Sequence, residues 1–403
     1  MESGALPHAL SCIAAMVVKN LEHRILTLQI LLGMICCTSL AFLSLILRSF
    51  DFTNFQIGLV MTLAACSTTF AKPCWGVLTD CLPCTRRILI GTLAIGLAAF
   101  ALLGLVGSRS GPAAIVMVIL VQITTGCMMG VVDSWIAKLI GEGHHVNYGL
   151  TRAGISGAYA VSAALFGSVL ERYGILPGTL GLAVLLVLLA LVVRGIPEPA
   201  QREREAYSLR DGAAQLLHNR PYVTLLAVYF LCTLTACAID SFLSLRILEL
   251  GGSERHVGYA LFITTAFEIP AMVGYSRLRR TTGKSPGFFI AVSVLFYGVK
   301  CLATGLAPNC QAVIGLCALQ VFAFGLFKPA LLDYLIQIVD IKYIGSTQLL
   351  ACALGESLSA ILGNTLNGAL ADRFSVGAMM TMVSSFAFVG ALVMFRSVRL
   401  NKH

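Results

Sequence analysis

The chain is short of charge. Asp, Glu, Lys and Arg make up 12% of its 403 residues, where a soluble domain carries roughly 25%. A surface that poor in ions excludes an ordinary water-soluble globule. With 58% hydrophobic residues and a mean hydropathy of +0.87, the solvent implied is a bilayer. A zinc set is also missing. Most of the fourteen cysteines lie inside apolar runs (Cys36, Cys37, Cys66, Cys127, Cys232, Cys237, Cys352), where a thiol behaves as a small hydrophobe. Cys81 and Cys84 form a lone C-x-x-C with no second pair or His nearby, so neither a metal nor a disulfide framework is expected. No nucleophile–base pair or phosphate loop is present, and Asp133 and Asp333 stand too far apart in sequence to define a dyad. Enzyme chemistry and a cofactor are therefore not expected. The first 20 residues make no signal peptide: the apolar stretch Ala9 to Val18 is broken by Ser11, and Lys19, Glu22, His23 and Arg24 follow it. No Asn-x-Ser/Thr sequon occurs, which favours a bacterial membrane.

What the chain has instead is a succession of apolar runs, each near the roughly 20 residues that cross a bilayer. They predict helices over 25–47, 55–79, 88–107, 113–136, 150–170 and 178–195, then 221–245, 256–276, 286–306, 311–338, 345–370 and 376–396. The expected class is an all-α membrane protein of about twelve spans. The 38 glycines suit it, since small residues let membrane helices approach closely. One long polar stretch, 196–220, separates the two sets of six and reads as a linker with room for an amphipathic surface helix. The expected division is a bundle over 1–195, the linker 196–220, and a bundle over 221–403.

Lys and Arg set the orientation. Eighteen of the 28 fall on the side of the termini and linker, six on the other, and four (Lys72, Arg152, Lys300, Lys328) within or at the edges of spans. Both termini and the linker are thus expected in the cytoplasm of a multi-pass plasma-membrane protein. The net charge of +9 is accounted for by anionic headgroups, without nucleic acid.

The halves repeat. Phe42-Leu43-Ser44-Leu45 recurs as Phe242-Leu243-Ser244-Leu245, and Asp133 as Asp333, both at an offset of 200; Phe70-x-x-Pro73 and Phe267-x-x-Pro270 share an offset of 197. Two parallel six-span bundles joined by a linker resemble the major facilitator superfamily. Gly76-Val77-Leu78-Thr79-Asp80 followed by Arg86-Arg87 is similar to that superfamily's G-x-L-x-D…R-R loop, although Cys81 to Thr85 replace the usual Gly-Arg. The resemblance implies a cytoplasmic gate made by Gly76, Asp80, Arg86 and Arg87.

Ionisable groups inside spans cost about 2.5–3.5 kcal/mol on insertion scales and usually face a cavity. Here five acids (Asp133, Asp240, Glu268, Asp333, Glu356) and four cations lie in spans, so one carboxylate is left over when they pair. Together these residues resemble the proton-coupled sugar symporters of the lactose permease and phenylpropionate permease group. That resemblance implies a substrate-binding pair, Asp133 and Arg152, joined by Ser156 and Tyr159 on the same face of the fifth span and by Glu268 of the Glu268-Ile269-Pro270 run. It also implies an Asp240–Lys328 ion pair, a cation at Lys300, and a proton-carrying carboxylate at Asp333 or Glu268. The absence of a His near Lys328, and Glu356 in span 11, depart from the group's pattern.

The expected activity is secondary transport of a small organic solute (a sugar, nucleoside or aromatic acid) by alternating access, with a proton as coupling ion and a monomer as the default state. A drug exporter is the rival within transport, but residues 149–170 hold Gly149, Gly154, Gly157 and Gly167 and no Pro where exporters carry a Gly-Pro-rich motif. A transporter-like sensor without flux is the rival of another class.

Overall fold

The computed structural model describes residues 5–198, 219–338 and 351–400, apart from 83, 145 and 147; within that range the side chains of 5–20, 80, 81, 141, 148–150, 153 and 352–354 are not described. The linker segment 199–218 and the first residues of the expected eleventh span therefore lie outside the described residues, as does the side chain of Asp80.

The described chain is all-α. The first helix, α1, runs Ala5–Leu40 and resumes as Leu43–Ser49. It is followed by α2 (Asn54–Cys81), α3 (Thr85–Val106), α4 (Gly111–Val121 and Cys127–Gly141), α5 (Tyr148–Tyr173) and α6 (Leu176–Val193). After the linker come α7 (Arg220–Glu249), α8 (Glu254–Thr282), α9 (Pro286–Leu306), α10 (Cys310–Leu316 and Phe324–Ile338), α11 (Leu358–Arg373, entered through Cys352–Ser357) and α12 (Val376–Leu400). Eleven of these are long and apolar enough to cross a membrane. Large apolar side chains such as Leu165, Leu180, Val187 and Val273 lie exposed along them, which suits contact with lipid.

A bilayer supplies no water to free backbone groups, so helix ends must satisfy their own. Thr53 and Gln56 make a reciprocal capping box at α2, while Asn219, Ser285 and Asn309 accept from the first turns of α7, α9 and α10. At the end of α8, Gly283 (φ +62) takes the left-handed C-cap that a side chain would strain.

Besides the break in α1, three helices carry an irregularly wound turn. α4 carries a π turn at Gln122–Gly126, α10 a 3-10 stretch at Cys317–Val321, and α11 a π turn at Cys352–Ser357. Side chains of neighbouring helices bond backbone carbonyls at or beside two of these turns. The Trp75 indole of α2 donates to the Ile123 carbonyl (2.8 Å), and Ser293 of α9 to that of Ala323 (2.5 Å). Such turns frequently mark functional sites.

Twelve alternating helices give the molecule a linker end, with the termini and the 196–220 segment, and a far end. At the far end the halves touch intimately. Ser44 and Ser244 share a hydrogen bond (3.0 Å). Repeat-equivalent residues that meet must lie on the pseudo-two-fold axis, so the offset of 200 is a spatial fact. α2 packs against α11, where Thr62 bonds Thr365 (2.8 Å) and the Ile361 carbonyl (3.0 Å). α5 packs against α8, where Gly167 and Gly258 let the backbones meet and Arg255 pairs with Glu171 (3.2 Å). The bonds Ser44–Ser244, Asn54 and Phe55 to Asp372, and Thr62–Thr365, with the Arg255–Glu171 ion pair, all join the halves toward the far end.

Each half has its own ties. In the second, Arg246, one residue past the predicted span 221–245, is buried on α7. It donates to the Thr304, Gly305 and Ala307 carbonyls that end α9 and pairs with Glu249 (2.7 Å). Glu249 in turn accepts from the first N–H groups of α12, at Val376 and Gly377 (3.1 Å each). A cation at a helix C-terminus and an anion at an N-terminus both oppose the helix dipoles favourably. In the first half Arg24, Trp135 and Arg86 grip the start of the linker at Gly195, Pro197 and Ile196.

Candidate functional site

Four of the charges placed in the second half by sequence fall into two clusters. In the first, Lys300 of α9 is wholly buried and donates to Gln320 Oε1 (2.6 Å), while Gln320 Nε2 donates to Glu268 Oε1 of α8 (3.0 Å). A lysine has only donors and a carboxylate only acceptors, so the amide can stand between them in one orientation alone. The 3-10 stretch of α10 carries Gln320 to this point. The result is a relay, Lys300–Gln320–Glu268, that joins three helices and compensates a charge that would otherwise be costly to bury.

The second cluster centres on Glu356, in the π turn of α11. Its Oε2 accepts from the Tyr229 hydroxyl of α7 (2.8 Å) and lies 3.4 Å from Lys328 Nζ of α10. Lys328 also donates to the Tyr229 hydroxyl (3.3 Å) and lies 5.6–5.9 Å from the Phe324 and Tyr229 ring centres, within cation–π reach. The resemblance had implied an Asp240–Lys328 ion pair. The structure instead gives Lys328 to Glu356.

Asp240 is thereby the acid left over. It makes no hydrogen bond or ion pair among the described residues and is exposed, although it sits two thirds of the way along α7 behind a run of buried residues. Its charge is felt alongside those of Lys300, Lys328 and Glu356 on three other helices, and by Tyr159 of α5 in the opposite half. A side chain facing lipid would not be ringed in this way, so Asp240 opens on the space between the halves.

From the first half, Tyr159 is within electrostatic reach of Asp240, Glu268, Cys36 and Cys37, and Arg152 of Glu268 and Cys36. Both are half-buried, as are Ser156 on the same helix and Asp133 on α4. Arg152 and Tyr159 of the first half thus lie within electrostatic reach of Asp240 and Glu268 of the second, with Lys300 buried behind them and Lys328 and Glu356 near Asp240.

Asp333 is elsewhere. It pairs with Arg279 (2.5 Å) near the linker end of α8, away from the convergent group. Of the expected gate, Gly76 has open space around it, Arg87 is exposed, and Arg86 is turned to its own half. The Arg86 backbone N–H donates to Glu198 (3.0 Å) and its guanidinium to the Ile196 carbonyl (2.7 Å). The convergent site also recruits two residues that sequence reasoning passed over, Gln320 and Tyr229. Neutral polar groups commonly bond across membrane helices, so neither stood out as the charges did.

Comparison with known proteins agrees with this architecture. The model of the MFS_1 like family matches residues 30–382. The maltose permease of Geobacillus stearothermophilus is 25% identical over 340 residues, 84% of this chain and 84% of that protein. An uncharacterized transporter, YwbF of Bacillus subtilis (strain 168), is 25% identical over 357 residues, 86% of each. Among solved structures, the nucleoside transporter NupG superposes with a TM-score of 0.75 at 14% identity, covering 94% of this chain and 98% of that one. A POT family transporter crystallised with a thioalcohol-conjugated peptide gives 0.72 at 11% identity, again over 94% and 98%. At those identities the structural likeness is one of fold.

Proposed function

The chain belongs to the MFS_1-like family of multi-span membrane transporters, and from that premise we propose that it is a proton-coupled carrier of a small polyhydroxylated solute, a sugar or a nucleoside. One observation carries the reading: the wholly buried Lys300 is tied through Gln320 to Glu268, beside an unbonded Asp240 that opens on the space between the halves. A protein that only scaffolds has no use for charges so costly to place in a membrane. A carrier needs them, because they create a polar cavity and a place to hold a proton.

The relatives support the solute class. One is named a maltose permease and one a nucleoside transporter, and both solute types present hydroxyls at many angles. Carboxylates at Asp240 and Glu268 would accept from such hydroxyls and Arg152 would donate to them, with the Tyr159 ring offering a face to the sugar or base. We read the carrier as a monomer of the plasma membrane with its linker end in the cytoplasm, as the Lys and Arg asymmetry implies, and its described far-end contacts as those of an inward-open state. In the outward-open state Asp240 takes a proton and the solute enters. The halves then rock about the site, and the proton and solute leave on the cytoplasmic side, where Lys300 and Lys328 stabilise the carboxylate that remains.

Uptake into proteoliposomes tests this. With an imposed inward proton gradient, a panel of labelled disaccharides, hexoses and nucleosides should contain at least one solute that accumulates above equilibrium and is released by a protonophore. Binding without accumulation across the panel would defeat the carrier reading. Accumulation that needs Na⁺ and ignores the protonophore would defeat proton coupling.

A further inference from the structure

At the far end α11 finishes on Gly368-Ala369-Leu370-Ala371-Asp372, the same G-x-L-x-D pattern that closes α2 at Gly76 to Asp80. The four-residue spacing puts glycine and acid on one helix face, a turn apart. In α11 both are engaged with the opposite half. Gly368 lies against α2 so closely that a Cβ there would sit 2.6 Å from the Asn54 carbonyl and 3.2 Å from Gly58 Cα. A turn later the two carboxylate oxygens of Asp372 accept from the first two backbone N–H groups of α2, at Asn54 and Phe55, each at 2.8 Å. The first N–H groups of a helix have no partner within it and carry the positive end of its dipole. Here an anion from the other bundle supplies what α2 lacks.

We propose that Gly368 and Asp372 form a far-end latch: the glycine lets α11 meet α2, and the aspartate clamps the α2 N-terminus, holding the far end shut until the halves rock. The latch must break for the chamber to open to the far side, because the two helices that it joins belong to different halves. Its bonds are charge-assisted, but Asp372 is exposed, which limits their strength. That suits a contact remade in every cycle. The role rests on the alternating-access reading, while the contact can be tested without any solute.

Ser44 and Ser244 provide the gauge. Their hydroxyl oxygens are 3.0 Å apart on the pseudo-two-fold axis at the far end, so cysteines at both positions should crosslink under mild oxidant only while that end is closed. In purified Ser44→Cys/Ser244→Cys protein, adding Asp372→Ala or Asp372→Asn should slow crosslinking roughly three- to tenfold. Asp372→Glu, which keeps the charge, should stay within about twofold of the parent. Asp372→Asn is nearly isosteric and reads the charge alone, so it serves where the alanine variant does not fold. Unchanged crosslinking in the Ala and Asn variants would overturn the latch, as would slowing by Glu as large as that by Asn. Absence of uptake with slowed crosslinking would remove the transport reading and leave the latch in place. Uptake with unchanged crosslinking would do the reverse.

Discussion

Lys300 shows how one side chain constrains its surroundings. It is fully buried in the membrane region, and its bonded partner is a neutral amide whose other face meets Glu268. Removing that amide strands the cation. Gln320→Leu should therefore destabilise the protein by about 3 kcal/mol, read as a lowered melting temperature in detergent, and abolish uptake. The Lys328–Glu356 pair invites a different test, since each partner leaves the other uncompensated. Lys328→Met or Glu356→Gln alone should cut uptake about tenfold or more, and the double variant should recover a substantial part of it. Failure of the double variant to recover would mean that one of the two charges acts on the solute or proton directly. At this scale the ionised residues were legible in sequence because their placement is costly, whereas Gln320 and Tyr229 were not. Pairing was less legible still. How far a helix is rotated about its axis decides whether Lys328 meets Asp240 or Glu356, and the π turn that carries Glu356 is invisible in composition.

Helices were read from apolar runs, and their number and order emerge as expected, because a span needs about 20 apolar residues whatever its neighbours. Interruptions within them were not. Pro73, Pro270 and Pro329 could be seen, but the π turn of α4 leaves no such mark and depends on the Trp75 indole, which completes the Ile123 carbonyl. Trp75→Phe should cost about 1 kcal/mol of thermal stability; no change in melting would mean that the π turn needs no such bond. Asp333 also belongs at this scale. The resemblance to the lactose permease group made it, with Glu268, a candidate for the proton, but it lies in the last turns of α10, within reach of Arg279 at the end of α8. Distance along the helix from mid-membrane, more than residue type, separates a structural ion pair from a functional one.

For the whole molecule, the repeat at offset 200 was the most informative feature in the sequence, and Ser44 touching Ser244 gives it a geometric meaning. The state of the molecule was not legible. Whether the far or the linker end is closed depends on small differences between two sets of contacts, and a sequence encodes both. Coupling belongs here too, because it needs both states. If Asp240 carries the proton, Asp240→Asn should abolish uphill uptake while counterflow of pre-loaded solute stays within about threefold of the parent. Equal loss of both would mark Asp240 as structural.

All of this depends on the charges lining a wet space between the halves, and position 240 reports on that most directly. With Asp240→Cys in a background whose exposed cysteines are replaced, a membrane-impermeant thiol reagent added at the linker end should label the new thiol within minutes, and a transported solute should slow the labelling. Labelling only by a lipid-soluble reagent, with none by the impermeant one, would place position 240 against lipid or in dry packing and would contradict the carrier account.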